Sequence, residues 1–171
     1  MMATKPKPQR RGNRPTVRPE WDEAEILPPA PARGHNHARH VDWKARLIVY
    51  LAQSVGMPFV YGEFDCALFT LGAVAEMTGF DLTTEYRGRY STLVQGVVLA
   101  RRDGFRDHVE LVAAHFAEIA PAFAQAGDIA VVEGADGPAL GLVQGEHIYA
   151  LMPGGLVLVP LLAAIRAFRV T

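Results

Sequence analysis

Pro58-Phe59-Val60-Tyr61-Gly62-Glu63-Phe64-Asp65-Cys66 leads into Ala67 to Thr78, an apolar, helix-like segment that Gly79 stops. Cys66 is the only cysteine of the chain, and this order sets it after a turn, in the first turn of a helix. At a helix N-terminus the unpaired N–H groups and the positive dipole end favour an anion, so a thiol placed there is biased toward thiolate, the nucleophilic form. The same place also suits a small buried hydrophobe. The residues around Cys66 favour the nucleophile.

Working outward, helices precede strands. Asp42 is placed to cap a helix through Ser54, with Trp43, Leu47 and Leu51 on one face, and Gly56 ends it. After the Cys66 helix comes Tyr86-Arg87-Gly88-Arg89-Tyr90, a loop able either to bind a ligand or to brace the fold. Ser91 opens a helix through Arg102 that Gly104 stops. Asp107, with Glu110 three residues on, forms a capping box for a helix through Glu118. Beyond Gly127 short apolar runs alternate with Gly134 to Pro138, Gly145-Glu146 and Pro153-Gly154-Gly155, the pattern of an antiparallel meander. The expected fold class is therefore α+β, with N-terminal helices packed on a C-terminal antiparallel sheet.

Pro58, Phe59, Tyr61, Gly62, Asp65 and Cys66 stand in the order of the signature of the NlpC-type cell-wall cysteine peptidases, which this segment resembles. Gly127 to Val132 is similar to that family's Gly-Asp strand, and Ala139 to Gly145 to its next strand. More narrowly, Thr78-Gly79-Phe80-Asp81, Tyr86 to Tyr90 and the Ala-Leu-Gly strand resemble a tailed-phage branch of the family. The resemblance spans about residues 43 to 171. It implies a papain-like core, Cys66 as nucleophile with N–H groups at the helix start as oxyanion hole, and Tyr61 and Asp65 lining the substrate site. It further implies peptidoglycan as substrate, no cofactor or metal, and a place at the virion tail tip, acting at the host cell wall or periplasm after synthesis in the host cytoplasm.

One departure governs the chemistry. Ala139 occupies the position of the general-base histidine and can accept no proton, although cysteine hydrolysis needs a base within hydrogen-bond reach of the thiol. The third family position, which orients the histidine, falls near Tyr149. Strand side chains alternate, so His147 shares the face of Tyr149 and is the foremost substitute base. His108, in the first turn of the Asp107 helix, and His115, on the face of Leu111 and Val112, are weaker candidates. His35, His37 and His40 have no carboxylate or cysteine to complete a closed metal site and read as a solvated stretch.

Composition divides the chain at about residue 40. Residues 1–40 carry eight basic against four acidic residues, leaving nine against fourteen in residues 41–171, so a total charge of −1 conceals two opposite halves. Seven prolines and no apolar periodicity make the first part an extended arm, expected to attach the protein to other tail or baseplate hub proteins through Trp21, Ile26 and Leu27. The domain is then expected to stand alone from Val41 onward. Nucleic acid is the weaker partner for the arm, since the domain behind it is acidic and shows no nucleic-acid motif. No apolar run reaches membrane-spanning length, and the first residues lack the apolar core of a secretory signal. A single cysteine excludes an internal disulfide. Two functions stay open: a tail-tip peptidoglycan hydrolase, and a degenerate domain of the same fold kept as a structural assembly element. A cellular amidase or acyltransferase is the third.

Overall fold

The computed structural model describes residues 37–171. It is an α+β domain of four helices and one six-stranded antiparallel sheet. Helices α1 (Trp43–Ser54), α2 (Cys66–Thr78), α3 (Leu93–Arg102) and α4 (His108–His115) precede all six strands. The strands are β1 (Ala117–Ile119), β2 (Ile129–Gly134), β3 (Gly137–Gln144), β4 (His147–Met152), β5 (Gly155–Pro160) and β6 (Arg166–Arg169), in the spatial order β1-β6-β2-β3-β4-β5.

Helix α2 is the centre of the packing. It is apolar nearly all round, with Leu68, Phe69, Leu71, Ala73, Val74 and Met77 buried, because it lies between α1 on one side and β3 and β4 on the other. Gly72 lets α1 come close: a Cβ there would lie 2.5 Å from the Tyr50 hydroxyl, which donates to the Phe69 carbonyl at 2.8 Å. Gly79, at φ +76°, ends the helix in the left-handed conformation that glycine adopts at least cost. Leu140, Leu142 and Leu151 meet α2 from the sheet. The opposite sheet face carries smaller residues, Ala130, Val132, Ala139, Val143, Ala150 and Ala167, under a second apolar layer that includes Ala124 and Leu161.

Several sequence expectations shift by identifiable physics. Thr92, not Ser91, caps α3, its hydroxyl accepting from the Gln95 N–H, while the Gln95 side chain reaches back to Ser91. Asp107 caps α4 as expected, but Glu110 pairs with Arg106 instead of closing the capping box. The helix stops at His115 rather than Glu118, because residues 117–119 pair with β6 and begin the sheet. The meander holds from β2 to β5; β6 then crosses back to lie between β1 and β2.

The boundary of the domain also moves. The arm was expected to run through residue 40, yet residues 37–40 are part of the fold. The His40 backbone N–H donates to the Met77 carbonyl at 2.8 Å and the His37 ring stacks on Phe80 at 3.6 Å, so His37 is drawn onto the domain, whereas the His40 side chain is exposed as a solvated residue would be. Arg39 bonds the Ala126 carbonyl and the fully buried carboxylate of Asp128, both at 2.9 Å, and its guanidinium lies over the Trp43 ring. Asp128 also receives Arg169 at 3.2 Å and the N–H groups of Gln125 and Val170. The rest of the expected arm, residues 1–36, with His35, Trp21, Ile26 and Leu27, lies outside the described residues.

Truncation tests this boundary. A chain beginning at Val41 should be less stable in urea than one beginning at His37 by about 2 kcal/mol, since a buried carboxylate loses one of its two cations. Arg39→Ala in the longer chain should reproduce most of that loss. Equal midpoints for the two truncations would contradict the role given to Arg39.

Candidate functional site around Cys66

Asp65, 2% exposed, sets the geometry. Its Oδ1 accepts from the N–H groups of Ala67 and Leu68, capping α2. Its Oδ2 accepts from the Gly62 N–H at 2.9 Å and from the Tyr90 hydroxyl. Asp65 therefore borders the site without being free to bind substrate, because all four of these donors already occupy its carboxylate. The Tyr86–Tyr90 loop is likewise a brace. Gly88 donates to the Gly62 carbonyl, Arg87 to the Glu63 carbonyl and Tyr90 to Asp65, and the buried phenol of Tyr90 is held far above its usual ionisation range by desolvation and by the Asp65 charge.

Cys66 stands at the first position of α2 with the Leu140 N–H directed at its Sγ. The β3–β4 ladder begins only at Gly141 opposite Ala150, which leaves Leu140 beyond its end. The thiol does not follow the bias expected of a helix N-terminus. Burial pushes it up to about 11, the nearby Asp65 charge adds to the rise, and the Leu140 N–H only partly opposes it. The negative charge that a helix N-terminus favours is already supplied by Asp65. The cap also takes two of the N–H groups expected to form an oxyanion hole, and Cys66's own N–H is the one from the first turn that remains.

Two small cavities meet at Cys66. One, of about 60 Å³, lies against α3 and is bounded by Tyr61, Leu71, Leu93, Val97, Ala100 and His108. The other, of about 50 Å³, reaches the β2–β3 turn and is bounded by Tyr61, His108, Asp136, Pro138 and Ala139. Tyr61 thus borders both, its phenol held above the usual range by burial and by Asp136 beside it. Ala139 borders the second cavity together with Cys66.

His147 and Tyr149 are not brought to this place. His147 is exposed opposite Gln144, five residues along β3 from Ala139, and at a strand rise of ~3.4 Å per residue it stands about 17 Å away along the sheet. Tyr149 pairs with Leu142 and packs against the main core, bordering neither cavity. Alternation placed these two on one face correctly, but distance along the strand separates them from Cys66. His115 bonds the Leu111 carbonyl at 2.8 Å among Phe80 and Phe105, a core-edge residue.

His108 is the imidazole that borders both cavities with Cys66. Its Nε2 lies 2.9 Å from the Pro138 carbonyl oxygen. A carbonyl only accepts, so this contact places the proton on Nε2 and leaves Nδ1 with the lone pair of a base. The Asp107 cap fixes His108 in the first turn of α4 and was legible in the sequence. That α4 docks beside the start of β3 was not.

A protein-family profile described as a domain of unknown function, DUF6950, matches residues 38–170. The chain belongs to this family. The DUF6950 match begins one residue before Arg39 and so includes its contact with Asp128. No curated protein matches the chain. Among the described residues of this DUF6950 domain, no helix is long and apolar enough to cross a membrane, and no group of three His, Cys, Asp or Glu side chains is placed to hold a metal ion.

Alkylation of Cys66 by iodoacetamide should accelerate about tenfold per pH unit from 7 to 10, with its midpoint near 11. A midpoint below the ~8.5 of a free thiol would contradict the desolvated environment described for Cys66.

Proposed function

We propose that the chain is a phage tail-tip protein whose domain is a papain-like, NlpC-type cysteine hydrolase that opens peptidoglycan locally during genome entry. Cys66 is the nucleophile, and His108 replaces the histidine that Ala139 has lost. The observation that carries this reading is the meeting of Cys66 and His108 at two shared cavities, with the His108 tautomer fixed by the Pro138 carbonyl. The tail-tip setting and the peptidoglycan substrate rest on the sequence resemblance at Pro58 to Cys66 and Tyr86 to Tyr90.

The raised thiol dictates the form of the chemistry. Little thiolate exists at neutral pH, so the proton must leave Sγ for the His108 Nδ1 as Sγ adds to the acyl carbon. The amine departs with that proton, leaving a thioester. Water, deprotonated by His108, then releases the acid and the proton returns to sulfur. The Cys66 N–H is the donor available to the oxyanion.

A second reading, a degenerate domain kept as a tail assembly element, is favoured by the same raised thiol and by the two helix N–H groups that Asp65 consumes. Muropeptide release separates the two. Cys66→Ala and His108→Ala should each lower the rate at least ~100-fold, whereas His147→Ala should leave it unchanged. A wild type inert on every peptidoglycan tested, with Cys66-dependent activity appearing in Ala139→His, would establish the structural reading. Full activity in His108→Ala would overturn the assignment of the base.

A further inference from the structure

The cavity against α3 has a chemical character of its own. Apart from Cys66, His108, the tyrosines and the fully engaged Asp65, its walls are Ala67, Leu68, Leu71, Leu93, Val97 and Leu111, with Gly96 and Ala100 between them. Among the described residues no lysine or arginine borders it, and the Asp65 oxygens already hold four donors. A carboxylate entering there would find no cation, and an ammonium no unengaged carboxylate, with only the His108 ring and the tyrosine hydroxyls as polar neighbours, so either would lose most of its hydration without replacement. About 60 Å³ admits a group of on the order of two to four carbon atoms.

We propose that this cavity is a subsite for a short, uncharged aliphatic group next to the acyl carbon that Cys66 attacks, of the size of an alanyl or valyl side chain. This deepens the hydrolase reading and rests on it for the word substrate, but the selectivity of the cavity can be measured without turnover. Tyr90 forms one wall and is fixed by Asp65, while α3 forms the other and approaches through Gly96, where a Cβ would lie 3.1 Å from the Tyr90 ring. The width of the subsite is therefore set by a helix and by a loop residue held through its bond to Asp65.

Cys66 is the chain's one thiol, so labelling reports this place alone. The full chain is treated with three methanethiosulfonates of similar size, carrying propyl, 2-aminoethyl or 2-sulfonatoethyl groups. Each reaction transfers the S–R group to the thiolate, forming a mixed disulfide and releasing methanesulfinate. Rates are read by intact mass and divided by the rate of the same reagent with a free small thiol, which removes intrinsic reactivity.

The propyl reagent should react at least tenfold faster than both charged ones after this correction. Ala100→Leu, which adds three carbons to the wall, should remove that preference. Val97→Thr, nearly the same shape, should reduce it while keeping the fold. Equal corrected rates, a preference for either charged reagent, or inertness to all three would overturn the subsite. A hydrolase test that fails while the propyl preference stands would remove the proposed reaction and leave this selectivity in place.

Discussion

The carboxylate of Asp65 is the interaction on which the site depends. One buried group caps α2 through two N–H groups, holds the preceding turn through the Gly62 N–H, and holds the Tyr86–Tyr90 loop through the Tyr90 hydroxyl. Gly62 is bound to this arrangement by sterics, since a Cβ there would lie 1.8 Å from the Tyr90 carbonyl oxygen and its φ is +76°. Cys66 is consequently presented from a frame with little freedom. Satisfying Asp65 fully has a cost for reactivity, because an anion already occupies the helix N-terminus and its donors are taken. The thiol beside it stays protonated at neutral pH.

His108 reaches the Cys66 cavities through packing rather than through the strand. The apolar girth of α2 locks it between α1 and the sheet, which brings the start of β3, Pro138 to Leu140, against the first turn of α2. Helix α4 then lays His108 on the Pro138 carbonyl, one residue before Ala139. Asp128 plays a comparable part at the other end of the domain. Its two arginines join residue 39 to the last strand, so the entry of the chain and its exit are fastened to one buried group.

Much of this was legible in the sequence where the signal is local. The helix start at Cys66, the cap at Asp107, the stop at Gly79, and the turns between β2 and β5 lie within a few residues of what they determine, and the α+β order followed from them. Signals failed where distant segments decide. Residues 117–119 read as helix because the Asp107 pattern continues, but their strand exists only through pairing with residues 167–169. Arg39 read as part of a basic arm because its partner, Asp128, lies 89 residues away. His147 was favoured by face parity, which says nothing of position along a strand, and His108 ranked as a weaker candidate because its neighbour, Pro138, is 30 residues off.

The central claim is that Asp65 joins the nucleophile turn, the helix start and the Tyr90 loop into one unit. A double-mutant cycle of Asp65→Ala and Tyr90→Phe, followed by urea unfolding, tests it most directly. Tyr90→Phe should cost about 1–2 kcal/mol in the wild-type background and close to nothing once Asp65 is gone, a coupling of at least ~1 kcal/mol. Additive effects, with Tyr90→Phe equally costly in both backgrounds, would contradict the account.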